Sequence, residues 1–301
     1  MKVLLTGATG LIGQKLTELL LEKGHQVNFL TTSVNKIKDE PHLKGYFWNL
    51  KYGKIDDSCF NDVDAIIHLA GASIAKRWTQ HYKKEILNSR VASTQLLYKG
   101  LNKKTNHIKH IIAASGTAIY PDDDQNIYYE GSTEKATGFL SDVVQKWEEN
   151  VDVFSKNQII VSKIRTGVVF AKQGGALPEI LKPIKNGLGA HFGDGNQQQS
   201  WIHIDDLTQL YYYVLTHHLS GVYHAVAPEV VSNKVQNNTI AQILNKRIWL
   251  PNIPKWFMKL ILGDMHELLF NNKNISSEKI QKAGFQFRFP TIHAALVDIL
   301  K

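Results

Sequence analysis

Three glycines near the amino terminus have the spacing of a phosphate-binding turn. The stretch "TGATGLIG" (6–13) places Gly7, Gly10 and Gly13 between an apolar strand and an amphipathic helix. In such a turn the first glycine permits the sharp bend, the second lets the backbone approach a pyrophosphate, and the third lets helix and strand pack closely. The alternative is a merely structural turn, because this glycine spacing alone is weak evidence. Its position in a strand–turn–helix unit favours a dinucleotide site.

Two side chains farther along the chain could supply a proton. Tyr120 follows the apolar strand that ends in "AASG", so it falls at the carboxyl edge of the predicted sheet, where ligands bind in α/β proteins. His203 alternates with Trp201 in the short strand "SWIHI", so both side chains would face one side. Tyrosine and histidine can each act as a general acid. The alternatives are an aromatic that packs a loop for Tyr120 and a partly buried, backbone-bonded side chain for His203.

The elements that must position these residues alternate between strand and helix. Apolar runs predict strands at 2–6, 26–31, 64–71, 108–116 and 159–170. Periodic apolar residues predict helices at 11–25, 83–101 and 139–154. This alternation predicts an α/β fold with a doubly wound parallel sheet.

The composition changes after residue 171, which predicts a second, smaller unit. Residues 171–200 are rich in Gly and Gln, and the tail from about 222 contains three closely placed prolines. We therefore expect a dinucleotide-binding domain of residues 1–170 plus 201–221 and a smaller α/β substrate lobe of residues 171–200 plus 222–301. Asp205 precedes the helix "DLTQLYYYVL" and is predicted to cap it rather than to react.

Composition and charge narrow the classes of partner. The 301-residue chain carries a formal net charge of +8, but most of its cations are scattered lysines, which argues against a nucleic-acid site and favours anionic ligands in general. Cys59 is the only cysteine, so no disulfide can form within the chain, and no residue cluster has metal-ligand spacing. No apolar run approaches the length of a membrane span. We expect a cytoplasmic monomer or homodimer without a nucleic-acid, membrane or metal partner.

Several longer motifs resemble a known family. With the glycine turn, "HLAGASIAKRWT" (68–79), "NSRVAST" (88–94), "GGALP" (174–178), "GDGNQQQSWIHIDDL" (193–207) and "GFQF" (284–287) resemble the extended short-chain dehydrogenase/reductase superfamily, and more narrowly its epimerase family proteins, which are also labelled cell-division-inhibitor-like. The resemblance spans nearly the whole chain. It implies a Rossmann fold, an NAD(P) cofactor and a substrate cleft between two lobes, but no particular substrate. The cofactor-binding residues it implies are Gly7, Thr9, Gly10, Leu11, Ile12, Gly13, Thr32, Leu69, Ala70, Gly71 and Arg165.

The end of the second strand favours NADP(H) over NAD(H). NAD sites usually place an acidic residue there to hold the ribose 2′-hydroxyl. Here the stretch "FLTTSVNK" (29–36) offers Thr32, Ser33 and Lys36, and no acid occurs before Asp39. A 2′-phosphate would therefore meet hydroxyls and a cation. The alternative for Lys36 is a solvated surface lysine.

The resemblance also implies catalytic residues, and here the chain departs from the family. Ser115 falls where the superfamily serine bonds the reacting carbonyl. The Tyr and Lys expected four residues apart in the helix at 137–149 are replaced by apolar side chains, namely Phe139 or Leu140 and Val143 or Val144. The usual asparagine of the preceding helix aligns with Arg90. The standard proton relay is therefore largely absent, and Ser115, Tyr120 and His203 are the candidate catalytic residues.

Gln199 opposes a nucleotide-sugar substrate. Nucleotide-sugar epimerases of the superfamily have an arginine two positions before the aromatic residue, here Trp201, and that arginine meets the diphosphate. Gln199 occupies the position in this chain, and a neutral amide cannot replace a bidentate guanidinium on phosphate.

Three functions follow as hypotheses. The first is an NADP(H)-binding oxidoreductase or epimerase-like protein with a non-standard active site, acting on a small carbonyl or hydroxyl compound. The second is a non-catalytic NADP(H) sensor or regulatory protein. The third, a nucleotide-sugar epimerase, is opposed by the missing Tyr/Lys pair and by Gln199.

Overall fold

The computed structural model describes residues 1–103 and 105–301. Within these ranges the strands are β1 (Lys2–Thr6), β2 (Gln26–Thr31), β3 (Asp39–Glu40), β4 (Leu43–Asn49), β5 (Lys54–Ile55), β6 (Ala65–His68), β7 (His110–Gly116), β8 (Ile127–Tyr128), β9 (Ile160–Thr166), β10 (Val168–Phe170), β11 (Gln198–Gln199), β12 (Trp201–His203), β13 (Gly221–Ala225), β14 (Val231–Ser232) and β15 (Asn274–Ile275). The α-helices are α1 (Leu11–Glu22), α2 (Gln80–Leu101), α3 (Phe139–Asp152), α4 (Leu177–Lys185), α5 (Ile204–Thr216), α6 (Asn233–Ile243), α7 (Lys255–Leu262), α8 (Glu267–Phe270), α9 (Glu278–Lys282) and α10 (Ile292–Leu300).

One large, mostly parallel sheet organises the molecule. Its order is β13-β9-β7-β6-β1-β2-β4-β3, and β5 also pairs with β4. Every pairing from β13 to β4 is parallel, whereas β3 and β5 run antiparallel to β4. The predicted α/β fold with a Rossmann-type sheet is confirmed. Because the parallel strands share a direction, the residues that follow β1, β2, β6, β7 and β9 all emerge at one edge.

Helices cover both faces of the sheet. On one face, Leu16 of α1 and Leu210 of α5 pack against strand residues such as Leu5 and Ile67. On the other, Leu97 of α2 packs with Leu4, Ile66 and Ile111. A buried parallel sheet of this kind requires strands that are apolar on both faces, and β1, β6 and β7 meet that requirement. Within the described ranges, no helix combines the length and apolar character that a bilayer crossing needs.

A separate core supports the carboxyl-terminal part of the chain. Phe170 of β10 and Trp201 of β12 lie stacked with ring centroids 5.7 Å apart. Side chains of α4, α6 and α10 pack around them, including Leu181, Ile240 and Leu296. The small β10–β12 sheet is therefore the centre of a second apolar cluster, and a smaller lobe remains our proposal for this part of the molecule.

Three details correct the sequence-based boundaries. The predicted strand 159–170 is two strands, β9 and β10. The Gly167 N–H donates to the Ala225 carbonyl oxygen of the large sheet, whereas the Val168 N–H donates to that of Ser200, directly before β12. The lobe boundary at 222 falls inside β13, which pairs with β9 along its whole length and belongs to the large sheet. Asp205 does not cap α5: the cap is His203, whose Nδ1 accepts from the Asp205 backbone N–H at 3.1 Å.

Candidate cofactor and active site

The glycine turn after β1 has the shape of a dinucleotide cradle. Gly7 has φ +74, and a Cβ there would lie 3.0 Å from the Leu69 carbonyl carbon. A Cβ on Gly13 would lie 2.1 Å from the Gly7 oxygen, so only glycine allows this approach of α1 to the turn. Gly10 precedes α1, and in the described chain no side chain caps this helix. The first N–H groups of α1 are thus left for an anion, and the residues present fit a pyrophosphate.

A buried polar chain holds the segment after β6 beside that turn. The backbone N–H groups of Leu69 and Ala70 donate to Thr6 Oγ1 at 3.2 and 3.1 Å. Thr6 Oγ1 also bonds to His68 Nδ1 at 2.7 Å, and His68 Nε2 bonds to Thr94 Oγ1 at 3.0 Å. Burial, helped by the charge of Arg90, lowers the pKa of His68 to about 3, so this histidine is a neutral structural link.

The end of β2 is polar and carries an unpaired cation. Thr31 is buried, and its Oγ1 accepts from the Ser33 N–H at 3.2 Å, whereas Thr32 and Lys36 are exposed. The next acids along the chain already have lysine partners: Glu40 pairs with Lys38 and Asp39 with Lys44. Among the described residues, Lys36 has no ion-pair partner.

Ser115 and Arg165 meet on a buried glutamate at the edge of the sheet. Ser115 is the penultimate residue of β7, and Arg165, the penultimate residue of the neighbouring β9, lies directly opposite in register. Ser115 Oγ donates to Glu148 Oε1 at 2.5 Å, and the guanidinium of Arg165 donates to both oxygens of Glu148 at 2.8 Å. Lys163 Nζ lies 3.7 Å from the same carboxylate. A bidentate guanidinium and a hydroxyl therefore fix Glu148 in one orientation.

The partners of Glu148 keep it ionised. Burial raises the pKa of its carboxyl, but the hydrogen bonds and charge of Arg165, with smaller contributions from Ser115 and Lys163, outweigh burial and hold that pKa below its ordinary value. The same pairing raises the pKa of Arg165 despite burial. Glu148 is thus a carboxylate that can accept the Ser115 proton.

Tyr120 lies on the far side of Arg165 and faces the interior. Its side chain is only 1% exposed. Its hydroxyl accepts from Arg165 Nη1 and lies 2.7 Å from His224 Nε2. His224 Nδ1 must carry a proton, because its partner 2.8 Å away is the Ser276 carbonyl oxygen, so Nε2 accepts from Tyr120. Burial, partly offset by Arg165, raises the pKa of Tyr120 to about 12. This placement favours a positioning role, and direct acid catalysis by Tyr120 stays a prediction.

The helix that lacks the Tyr/Lys pair presents an apolar surface. Val143 packs with Trp78 and Ile86. Val144 packs in another cluster, and its Cγ2 would be 3.5 Å from a Cβ built on Gly116, at the end of β7. Phe139 and Leu140 are half-buried beside Val143. Which of the four faces a nicotinamide, and with it the apolar wall, stays a prediction, because the α3 side chain bonded to Ser115 is the carboxylate of Glu148.

Arg90 is a half-buried cation close to α3. Its Nη1 donates to the carbonyl oxygens of Ala72 and Ile86 at 3.2 and 3.0 Å, and its Cζ lies 5.0 Å from the Trp147 ring centroid. A Cβ on Gly71 would lie 3.0 Å from Arg90 Cζ, so the guanidinium sits directly against the segment after β6. No carboxylate of the described chain pairs with it. Burial lowers its pKa to about 10.

His203 lies apart from this cluster. Besides capping α5, its ring packs against Phe289 at a centroid distance of 4.0 Å, and its Nε2 lies 3.4 Å from an Asp298 oxygen. Burial, opposed by neighbouring carboxylates, lowers its pKa. The structure thus brings Ser115 and Tyr120 together through Arg165, whereas the contacts of His203 are in the carboxyl-terminal core.

Sequence reasoning missed Glu148 and His224. The sequence offered a sign of Glu148: it follows Leu140 and Val144 at intervals of four residues, so it lies on the same face of α3 as they do. An acid on a buried helix face needs a partner, which could have drawn attention to it. The sequence offered no such sign of His224, because β13 itself was not predicted. Within the described residues, no group of three or more His, Cys, Asp or Glu side chains is placed to hold a metal ion.

Comparisons with known proteins agree with this architecture. The model of the NAD dependent epimerase/dehydratase family matches residues 3–226, and that of a domain of unknown function, DUF1731, matches residues 253–299. Epimerase family protein MW0731 of Staphylococcus aureus strain MW2 is 32% identical over 301 residues, with 99% of this chain and 98% of the relative covered. Epimerase family protein SSP1921 of Staphylococcus saprophyticus is 31% identical over 300 residues, with the same coverage.

Solved structures are similar over the whole chain. The crystal structure of human epimerase family protein SDR39U1 (isoform 2) with NADPH has a TM-score of 0.85 and 30% identity. The match covers 99% of this chain and 99% of that chain. The nucleoside-diphosphate sugar epimerase from Corynebacterium glutamicum has a TM-score of 0.78 and 28% identity, with 100% of this chain and 58% of that chain covered. The UDP-N-acetylglucosamine 4-epimerase from Bacillus cereus has a TM-score of 0.77 at 18% identity, a likeness of fold alone.

Proposed function

Because the chain belongs to the NAD dependent epimerase/dehydratase family, we propose that it is an NADP(H)-dependent oxidoreductase acting on a small carbonyl or hydroxyl compound. The observation that carries the proposal is the Ser115–Glu148 hydrogen bond of 2.5 Å at the carboxyl edge of the sheet. It places a hydroxyl bonded to an ionised carboxylate two strands from the glycine turn, since β6 alone separates β1 from β7.

The proton path runs through Ser115 to Glu148. When a substrate hydroxyl is oxidised, it gives its proton to Ser115 Oγ, and Ser115 passes its own proton to Glu148 Oε1. An ionised carboxylate is the acceptor that this transfer requires. In the reductive direction the protonated Glu148 returns the proton through Ser115 to the carbonyl oxygen. Bound NADP(H) supplies or takes the hydride.

Arg165 and Tyr120 act in this scheme as positioning residues. Arg165 donates to Glu148 and to Tyr120, and Tyr120 connects the arginine to His224. The guanidinium of Arg165 lowers the pKa of the Glu148 carboxyl and so favours its ionised form between turnovers. Cofactor binding by Arg165, implied by the family resemblance, stays a prediction, because the contacts of its guanidinium in this structure are with protein side chains.

Several features support the phosphorylated cofactor. Lys36 is exposed, has no ion-pair partner in the part of the chain that the structure describes, and closely follows Thr32 and Ser33. The human relative of similar fold was crystallised with NADPH. Arg90 is a second cation without an ion-pair partner among the described residues, and a half-buried charge without a counter-ion is costly. We propose that Arg90 faces an anionic group of the bound cofactor or substrate and compensates for the missing lysine.

Cofactor choice is tested by calorimetry with NADPH and NADH. We expect NADPH to bind more tightly, and Lys36→Glu to weaken NADPH roughly tenfold or more, the effect of a lost charge-assisted bond, while leaving NADH unchanged. Lys38→Glu is the matched control, because Lys38 already pairs with Glu40. A wild-type preference for NADH would exclude the NADP(H) assignment.

Catalysis is tested by a carbonyl-compound screen that follows NADPH oxidation. Ser115→Ala should reduce turnover by about 10²–10⁴, the contribution of a positioned proton donor. Ser162→Ala is the control, since Ser162 is an equally buried serine of β9 that bonds to His110, away from the site. Tight NADPH binding without turnover across a broad screen would favour the non-catalytic sensor instead.

A further inference from the structure

Residues 246–262, which we call the 246–262 patch, form an apolar surface that the rest of the described chain leaves exposed. Trp249 is 70% exposed, Trp256 67%, Leu260 76%, Ile261 50% and Phe257 41%. Four of these residues belong to α7, where positions 256, 257, 260 and 261 share one side of the helix. Exposed apolar side chains gathered on one side of a helix are typical of interaction sites.

The charge of the patch has one sign. The segment contains Lys246, Arg247, Lys255 and Lys259 and no Asp or Glu. Among the described residues, none of the four cations has an ion-pair partner. On α7 the two lysines, four residues apart, lie beside the exposed aromatic and aliphatic side chains.

A neighbouring loop adds the same combination. Trp249 Nε1 donates to the Gly187 carbonyl oxygen at 3.0 Å, which places the loop after α4 next to the patch. Leu188 of this loop and Lys185, the last residue of α4, are both exposed. The surface therefore combines tryptophan and aliphatic side chains with lysines that form no ion pair among the described residues, over two segments of the chain.

This combination fits an anionic lipid surface. A second copy of the chain docked patch to patch would set four cations against four cations, which is electrostatically unfavourable. An interfacial helix has Trp, Phe and Leu on one face and Lys beside it, and lipid phosphates neutralise its cations. We propose that the 246–262 patch binds bilayers that contain anionic lipids, with α7 lying in the plane of the interface. The expectation of no membrane partner rested on the lack of a spanning segment, which does not bear on a helix lying flat.

The tryptophans of the chain provide a selective reporter. Trp48, Trp78, Trp147 and Trp201 are buried, whereas Trp249 and Trp256 are exposed. Acrylamide quenching of the full chain therefore reports chiefly on the patch. With phosphatidylcholine vesicles that contain phosphatidylglycerol, we expect a blue shift and protection from quenching, reversed by high salt. Vesicles of phosphatidylcholine alone should give neither change.

Variants separate the contribution of the lysines to vesicle binding from that of the apolar side chains. Lys255→Gln with Lys259→Gln should weaken partitioning to the anionic vesicles roughly 30-fold, measured by vesicle sedimentation. Trp256→Ser with Leu260→Ser should abolish it. The matched control is Lys51→Gln with Tyr52→Ser, an exposed lysine–aromatic pair elsewhere on the surface, which should bind as wild type does.

Three results would overturn the proposal. The first is equal binding of the wild type to both kinds of vesicle, and the second is no binding to either. The third is protection of the tryptophans from acrylamide that grows with protein concentration in the absence of vesicles, together with a dimer detected by ultracentrifugation. The last result would identify the patch as a self-association surface. Because the two kinds of vesicle are compared with the wild-type chain, the test remains decisive even when a variant fails to fold.

Discussion

The Glu148 carboxylate interacts with Ser115, Arg165 and Lys163 at once. Its side chain is 8% exposed and that of Arg165 is 9% exposed, so water screens their attraction poorly. Breaking such a buried pair by removing one partner typically costs about 3–5 kcal/mol, because the other charge stays buried and unpaired. The proposed proton path and the stability of this region therefore depend on the same carboxylate.

This dependence predicts how stability changes with pH. The folded-state pKa of Glu148 is lowered, so its stabilisation is complete above the ordinary glutamate pKa of about 4.3 and is lost as the pH falls through the folded value. Glu148→Gln should be less stable than wild type at neutral pH by roughly 3 kcal/mol. That difference should shrink in acid, as measured by urea unfolding over a pH series. The exposed neighbour provides the control Glu149→Gln, and a difference that does not vary with pH would contradict the assignment.

Tyr120→Phe distinguishes positioning from acid catalysis. Removing the hydroxyl leaves Arg165 Nη1 and His224 Nε2 without a buried partner, so unfolding should become easier by about 1–3 kcal/mol. If Tyr120 only positions Arg165, turnover should fall less than tenfold. A loss of about 10²–10⁴ in turnover with unchanged NADPH affinity would instead support Tyr120 as the acid.

At the scale of elements, the turn between β1 and α1 is the most sterically constrained part of the site. Gly13→Ala would place a methyl group 2.1 Å from the Gly7 oxygen and must push α1 away from the turn. We expect a loss of about 1–3 kcal/mol in stability from overpacking. We also expect a marked loss of NADPH affinity in calorimetry, because the helix amino terminus no longer meets the pyrophosphate.

The control for this variant is another glycine-to-alanine change. Gly131 has open space around its Cβ position and no positive φ, so Gly131→Ala should leave both unfolding and NADPH binding unchanged. Wild-type affinity in Gly13→Ala would mean that the turn is structural only.

The sequence predicted those elements whose apolar pattern is long enough to be read locally. The strand at 26–31 and the helices at 83–101 and 139–154 occur within a few residues of their predicted bounds. β4 and β13 were missed, since "LKGYFWN" and "GVYHA" become strands through pairing with β2 and β9 rather than through a distinct local pattern.

The same reason limits prediction of the site. The glycine turn is local, and its residues could be named in advance. The Glu148–Arg165 pair is not local: the two residues meet because α3 packs over the ends of β7 and β9. The periodic pattern of apolar residues predicts the buried face of α3, but it does not predict that Arg165 of β9 contacts that face.

At the scale of the whole molecule, the position of Gln199 bears on the class of substrate. It lies in β11, which pairs with β14 and so joins two segments outside the large sheet. We expect that UDP-hexoses neither bind at micromolar concentration nor are epimerised, because the neutral amide of Gln199 cannot replace the diphosphate-binding guanidinium that the resemblance places at this position. Saturable binding of a UDP-hexose in ligand-observed NMR would contradict this prediction and revive the nucleotide-sugar epimerase hypothesis.

The late position of β13 in the chain has a consequence during synthesis on the ribosome. β9 is complete once residue 166 has been added, but its outer neighbour consists of residues 221–225. While the residues between them are being added, β9 is an open sheet edge that could pair with a second nascent chain. Lys163 and Arg165 of that strand pair with Asp152 and Glu148 of α3, a helix that precedes β9 in the chain, so these ion pairs can form before the edge is covered. We therefore expect the backbone edge of β9 to be the surface of the nascent chain that is open to pairing with a second copy until residues 221–225 emerge.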